Sequence, residues 1–558
     1  MPGLVASDDG ARKRKRMIEN GSSNSVKSRK APKTKPSAST SDDAGTRILL
    51  LEEQILESRE HYNNIVELQK LVENVGKNPK TSTIAAVALC RAFSRLIAGE
   101  KLAKQKGSSE ADVQIVQWLR ARLRDYIGAL LGWVGSPDAA QDSTALTLLM
   151  RLVKEETSAG SKKSDHCWRG DKSTFVAIVT ALIENKDAEG VRQEFVDKYV
   201  EESDDVRFYT FAAVKQCLQG ENACKEQFVD RAIDLLSRIE GVPESEEQLE
   251  DWYGDPPEGK HQLLSLTAHR KVAREAWLAV FRSTLSYEQR KKVLGITTAQ
   301  ILPWFTGHIE LLADFLTDSF NQKGSMALMA LSGIFNLMTQ KNLDYPDFYA
   351  KLYSLLDEDL LHSKHRSRFF RLLETFMSST HLPVAMVASY LKRLSRLALQ
   401  SPPGGIVWIV PWVYNMLKQH PPCTFMLHRT YHPAHAIYAN YPKYEEEGMD
   451  DPFDMSQSDP MLTGAIDSSL WELETLQSHY HPNVATLAKI MGEQFTKRDY
   501  QLEDFLDHSY ASLIDAELGK EMKKAPVVEW EIPKRIMTAE EGGLNGIGTL
   551  LQAAIDAQ

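Results

Sequence analysis

The chain has 558 residues, 42% apolar and 25% charged, which supports a large core and excludes a collagen-like or wholly disordered polymer. Five cysteines without a CxxC pair fit a reducing compartment better than a disulfide framework. A polar, basic N-terminus and the lack of a run of about 18 apolar residues predict a soluble intracellular protein without membrane spans. Ten Lys or Arg against three Asp or Glu put +7 on residues 1–41, so of the overall −10 the remaining chain carries −17. An acidic body disfavours non-specific nucleic-acid binding and leaves that role to the tail or to local ridges.

Residues 1–44 read as a disordered basic tail, rich in Ser, Lys, Pro and Thr with no apolar period. Within it Arg12, Lys13, Arg14, Lys15 and Arg16 form a cationic run of the kind import receptors read, a candidate nuclear import signal. A helical-repeat block is expected over 45–240, opening on a long helix striped by Ile48, Leu51, Ile55, Tyr62 and Val66. Further helices follow near 82–103, 110–134, 138–157, 172–185, 190–201, 205–219 and 225–240, separated by turn residues such as Gly135-Ser136-Pro137. Helices of this length with short joins and almost no strand alternation predict an all-α fold, an α-solenoid of HEAT or armadillo-like repeats in two blocks.

An acidic stretch at 241–262 with Pro243, Pro256 and Pro257 is expected to be a hinge or loop between the blocks. The second helical block spans 263–515 and includes an irregular insertion at 421–468. Residues 516–558 form a C-terminal extension.

Catalytic chemistry finds no foothold. Gly76-Lys77-Asn78 lacks the rest of a P-loop, and no GxGxxG, GxSxG or HExxH occurs. No catalytic residue, cofactor or small-molecule substrate is expected. The best metal candidate is Cys423, His428, His432 and His435 with His479 and His481 farther on. Its spacing matches no familiar zinc finger, so these side chains are expected to bond loop backbone instead.

Two basic ridges are better defined. At about 100° per residue, Lys364, Arg368 and Arg371 fall within roughly 60° of one another, away from Phe369, Leu372, Leu373 and Phe376. Lys392, Arg393 and Arg396 likewise oppose a stripe of Val384, Val387, Leu391, Leu394 and Ala398. The ridges read either as ordinary solvated faces or as a cationic strip for RNA phosphates or an acidic partner. Trp408 and Trp412, after Pro402-Pro403-Gly404-Gly405, are candidate anchors for a partner segment.

The second block carries a more specific signal. Leu311-Leu312-Ala313-Asp314-Phe315-Leu316 leads to Ala330-Leu331-Ser332-Gly333-Ile334-Phe335, then to Leu343-Asp344-Tyr345-Pro346-Asp347-Phe348 and Arg366-Ser367-Arg368-Phe369-Phe370-Arg371. Ser469-Leu470-Trp471-Glu472-Leu473, His479-Tyr480-His481-Pro482 and Glu503-Asp504-Phe505-Leu506-Asp507-His508 complete the order. Over about 265–515 this resembles the CCAAT-binding-factor-type domain of the nucleolar complex proteins, and within that family the small-ribosomal-subunit member. The resemblance implies a non-enzymatic α-solenoid scaffold of the nucleus and nucleolus. It implies a dedicated partner, nucleolar protein fourteen, within the small-subunit processome that matures pre-ribosomal RNA. Other processome proteins would be neighbours, and RNA contact would be indirect or through the ridges. A solenoid transport receptor and a transcription-related factor are the alternatives. The first would not need its own import tail, and the second lacks a DNA-binding module.

Overall fold

The computed structural model describes residues 40–519 apart from 75–77, 103–109, 160–167, 171, 220–223, 258, 260, 323, 342–344, 346, 430–431, 433, 435–437 and 497, together with 554–556. The cationic run at 12–16 and nearly all of 516–558 lie outside these residues. Among the described residues there are helices and single helical turns and no strand, and the fold is an all-α solenoid. The chain forms two compact units that divide between residues 167 and 168.

The first unit contains α1 (Thr40–Glu57), α2 (Asn64–Glu73), α3 (Pro79–Ala98), α4 (Glu110–Leu131) and α5 (Ala139–Ala159). The expected long first helix is broken. Ser58 is extended (φ −144°, ψ 147°) and its hydroxyl accepts from the Glu60 amide, which stops α1 as local side-chain bonds do. The apolar stripe therefore passes from Ile48, Leu51 and Ile55 to Ile65, Leu68 and Val72, while Tyr62 and Val66 stay half-buried. Pro79 opens α3, where its missing N–H costs nothing. By length and apolarity alone α3 could cross a membrane, but its apolar side is packed by α1, α2 and α5. Tyr126 of α4 stacks on Phe93 at 5.5 Å and donates to the Ala86 carbonyl at 2.6 Å. That bond satisfies a hydroxyl buried deeply enough to push its pKa up.

The second unit opens with α6 (Thr174–Glu184), α7 (Glu189–Phe195), α8 (Asp204–Cys217), α9 (Glu226–Ser237), α10 (Leu266–Arg282), α11 (Tyr287–Ile296), α12 (Ala313–Phe320) and α13 (Ser325–Lys341). It continues with α14 (Phe348–Ser354), α15 (Glu358–His362), α16 (Arg366–Met377), α17 (Val384–Ala398), α18 (Pro403–Gln419), α19 (Tyr441–Glu447), α20 (Trp471–Leu476), α21 (Pro482–Ala488) and α22 (Tyr510–Leu518). The helices of its first half pack on close sequence neighbours, α6 on α8 and α9, α8 on α10, α9 on α11, α11 on α13. This is the pattern of a stacked array.

Residues 241–262 do not divide the compact units. They run back over the start of α8, where the Asp204 amide donates to the Asp251 carbonyl at 2.8 Å. The Asp205 carboxylate accepts from the Tyr253 and Gly254 amides at 3.0 and 2.9 Å. Those bonds satisfy orphan donors of an otherwise irregular loop, so the stretch is fastened rather than hinged.

Candidate interaction surfaces

The first expected ridge lies on α16, and the fold has already occupied most of it. Arg368 turns inward; its Nε donates to Ser332 Oγ at 2.5 Å and its Nη2 to Thr298 Oγ1. Burial lowers its pKa. Arg371 makes a two-oxygen contact with Glu503 at 2.7 and 2.9 Å, an exposed pair of small energetic weight. Lys364 alone of the three is exposed with no ion pair among the described residues, and it lines a cavity of about 380 Å³ with Arg366, His508 and Tyr510. The surface around Lys364 and Arg371 is shaped by residues 502–509, which cross the start of α16. Ser367 Oγ donates to the Leu506 carbonyl and Arg366 Nη2 to the His508 carbonyl, both at 3.1 Å. Gly404 permits the approach, since a Cβ there would run into the His508 carbonyl oxygen.

The second ridge is an internal anchor, which corrects the expectation of a solvent-facing strip. The apolar stripe of α17 packs as expected, with Val387, Leu391, Leu394 and Ala398 buried. Its polar side is covered as well, by the irregular stretch from 449 to 476. Lys392 is fully buried, with Nζ at 2.7 Å from Glu472 Oε1, 2.8 Å from Asp451 Oδ2 and 2.6 Å from the Ser469 carbonyl. Arg396 meets the same two carboxylates at 2.9 and 2.6 Å. Arg393 donates to the Leu356 and Met455 carbonyls and lies over Tyr353. Burial opposes ionisation of Asp451, but hydrogen bonds from Lys392, Ser468 and Trp471 outweigh it and hold the carboxyl well below the usual range. Each of the three cations is already paired or hydrogen-bonded within the fold.

Trp408 and Trp412 are core residues rather than partner anchors. Trp408 lies face to face with Phe370 at 3.9 Å, and Trp412 stacks on Trp408 at 5.8 Å. The signal was present in the sequence: in α18 nearly every residue from 403 to 417 is apolar, and a helix apolar all round is buried. Its buried amide, Asn415, clamps Tyr500 by donating to its carbonyl and accepting from its N–H at 2.8 and 2.9 Å.

The histidine-rich stretch does what loop histidines do. His479 Nδ1 accepts from the His481 amide, and His481 Nδ1 from the Asn483 amide. His432 accepts from the Ala434 amide, and His435 lies outside the described residues. Cys423 is buried, which pushes its thiol up to about 11, the wrong direction for a thiolate ligand.

A surface that periodicity does not single out is the far side of the Lys392 anchor. The Trp471 indole donates to Asp451 Oδ2 at 2.9 Å and has Lys392 and Arg396 against its ring at 5.2 and 4.8 Å. The residue is nevertheless 40% exposed, beside Met449 at 51%. With Phe425 and Arg429 they line a cleft of about 200 Å³. A large aromatic side chain fixed in place before binding loses little entropy when a partner docks. In sequence Trp471 stands out only as part of the Ser469-Leu470-Trp471-Glu472-Leu473 motif.

Comparison with known proteins agrees with this architecture. Residues 37–223 match the family described as nucleolar complex protein 4-like, TPR repeats, and residues 327–488 match the CBF/Mak21 family. The second match falls inside the 265–515 stretch picked out by its motifs. TPR repeats stand where helix spacing suggested HEAT or armadillo ones. Both are stacks of helix pairs, and no clean sequence period separates them here. An uncharacterised protein of Schizosaccharomyces pombe is 37% identical over 494 residues, covering 86% of this chain and 96% of the relative. Nucleolar complex protein 4 of Saccharomyces cerevisiae is 34% identical, covering 87% and 93%. The Gallus gallus homologue is 31% identical, covering 85% and 94%. Identity of this level along almost the whole length, through both helical units and both matched domains, makes the chain a nucleolar protein that belongs to the nucleolar complex protein 4 family.

Proposed function

We propose that this chain is a non-enzymatic scaffold for assembly of the small ribosomal subunit. It acts in the nucleolar small-subunit processome on the precursor of 18S ribosomal RNA, as a heterodimer with nucleolar protein fourteen. The observation that carries the reading is the near-full-length similarity to yeast nucleolar complex protein 4, a family of nucleolar ribosome-biogenesis factors. The fold supports it, because stacked helices offer long surfaces to other chains. In this reading the partner docks on the C-terminal half, with Trp471 and Met449 at its centre. RNA is met through Lys364 and the basic residues before position 42 rather than through the ridges already paired within the fold.

The test is purification of the tagged chain from cells, with its RNA and proteins identified. Precursors of 18S RNA and nucleolar protein fourteen should be recovered. A Met449→Glu variant, altered at an exposed position, should lose the partner while its unfolding temperature stays the same. Recovery of large-subunit precursors alone would overturn the reading. Full retention of the partner by Met449→Glu would move the docking surface elsewhere.

A further inference from the structure

A groove of about 810 Å³ lies between α8 and α10 in the second unit. Its charged lining is predominantly cationic: Arg169, Lys215, Lys271 and Arg274 against the single carboxylate of Glu275. Lys215 and Glu275 pair across the groove at 2.8 Å, which leaves three positive charges. Lys271 and Arg274, three residues apart on one face of α10, form no ion pair among the described residues. Burial already pulls the Arg274 pKa down, with Glu275 and Glu310 only partly compensating, so an added carboxylate there would relieve an unfavourable state. Arg169 is held ready, its guanidinium over the rings of Phe208 and Tyr209 at 5.2 and 5.4 Å. Three unneutralised cations in a body of net −17 outside residues 1–41 are a local reversal of the protein's field.

The rest of the lining separates two polyanions. Single-stranded RNA binds grooves by stacking bases on exposed aromatic rings, and the one aromatic side chain here, Phe208, is buried beneath Arg169. The apolar lining besides Phe208 is aliphatic, from Ala212, Ala268 and Val272, and Gln219 and Gln262 add carboxamides, the second of which accepts from Arg169 at 3.4 Å. Carboxamides donate and accept, as a peptide backbone requires, and aliphatic walls suit small apolar side chains.

We propose that the α8–α10 groove is a docking site for an extended acidic peptide segment with interspersed aliphatic residues. It is separate from the Trp471 surface and does not depend on the identity of the partner bound there. Carboxylates of the segment pair with Arg169, Lys271 and Arg274, and its aliphatic side chains enter between Ala212 and Val272.

The experiment uses the full chain and a fluorescent peptide of repeating Glu-Asp-Leu, read by anisotropy. Saturable binding that weakens with salt is expected, with a matched Gln-Asn-Leu peptide roughly tenfold weaker or worse. Lys271→Glu, at an exposed position, should weaken binding by at least roughly tenfold without altering the unfolding temperature. Arg274→Gln should weaken it too, while Lys271→Arg should bind as wild type does. Absence of saturable peptide binding, or binding unchanged in both Lys271→Glu and Arg274→Gln, would overturn the proposal. So would an oligouridylate that displaces the peptide and is itself lost in those variants, because the groove would then be an RNA site.

Discussion

Lys392 shows how far a single side chain can move from its apparent role. On a helical wheel it is a surface lysine, yet it sits fully buried between Glu472 and Asp451. Two ions taken out of water are stable only when each finds the other and the remaining donors are satisfied, and the Ser469 carbonyl supplies the last of these. Removing one partner of a buried pair costs about 3–5 kcal/mol, and because Arg396 still meets both carboxylates the loss of Lys392 falls toward the lower end of that range. Lys392→Met should therefore lower the unfolding temperature of the second unit strongly, whereas Arg371→Met, at an exposed pair, should cost about 1 kcal/mol or less. Acid reaches the same cluster. Asp451 has a folded pKa held below its unfolded value, so its contribution is fully present above about pH 4 and fades as pH falls further. Thermal melts across this range should show acid destabilisation in wild type and a smaller share of it in Asp451→Asn. An acid profile unchanged in that variant would remove the cluster as its origin.

At the scale of elements, α16, α17 and α18 are buried from two sides because chain far along the sequence returns over them. The 449–476 stretch covers α17, and 500–509 crosses the start of α16 and the middle of α18. Such irregular cover is stable only where its backbone groups find partners. Arg366, Ser367 and Asn415 are those partners, side chains on helices that bond to carbonyls or amides of the covering strand of chain. Gly404 is as necessary as any of them, for the opposite reason: it contributes no atom where the His508 carbonyl sits. Gly404→Ala should displace residues 502–509 at a cost of about 1–3 kcal/mol. It should make that segment open to protease before the rest of the unit. Cleavage kinetics identical to wild type would show that the helix absorbs the methyl group without loss.

For the whole molecule, the division between residues 167 and 168 decides what can be cut. A cut in 241–262 looks inviting in sequence, yet it would part α8 from α10 and from the turn after α11, with the aromatic contacts Phe208 on His269 and Phe211 on Trp304. Burying these rings is worth several kcal/mol in sum. A fragment of residues 168–519 should be soluble and unfold cooperatively. One beginning at residue 260 should aggregate or melt at a much lower temperature. A well-folded fragment from 260 would show that the second block is independent after all.

The sequence by itself determined the helical class, since apolar residues recur at the helix period almost throughout and strand alternation is nearly absent. It determined the inner side of most helices, such as Val387, Leu391 and Leu394 on α17, because a stripe that must leave water is written in local order. It also carried the family, through motifs long enough to be specific. It could not determine whether the opposite side of a helix meets solvent, because that depends on where residues a hundred positions away come to rest. Arg368, Lys392 and Arg396 are therefore indistinguishable in sequence from surface cations; Ser332 and Thr298 draw Arg368 inward, and the returning 449–476 segment buries Lys392 and partly covers Arg396. Trp471 is the converse case. Its neighbours in sequence mark a helix start, and only the fold sets Asp451, Lys392 and Arg396 around it and leaves one part of the ring open to a partner. Burial of the apolar side is settled by short-range pattern, whereas charge partners are settled by loop closure between distant segments, which no local pattern encodes.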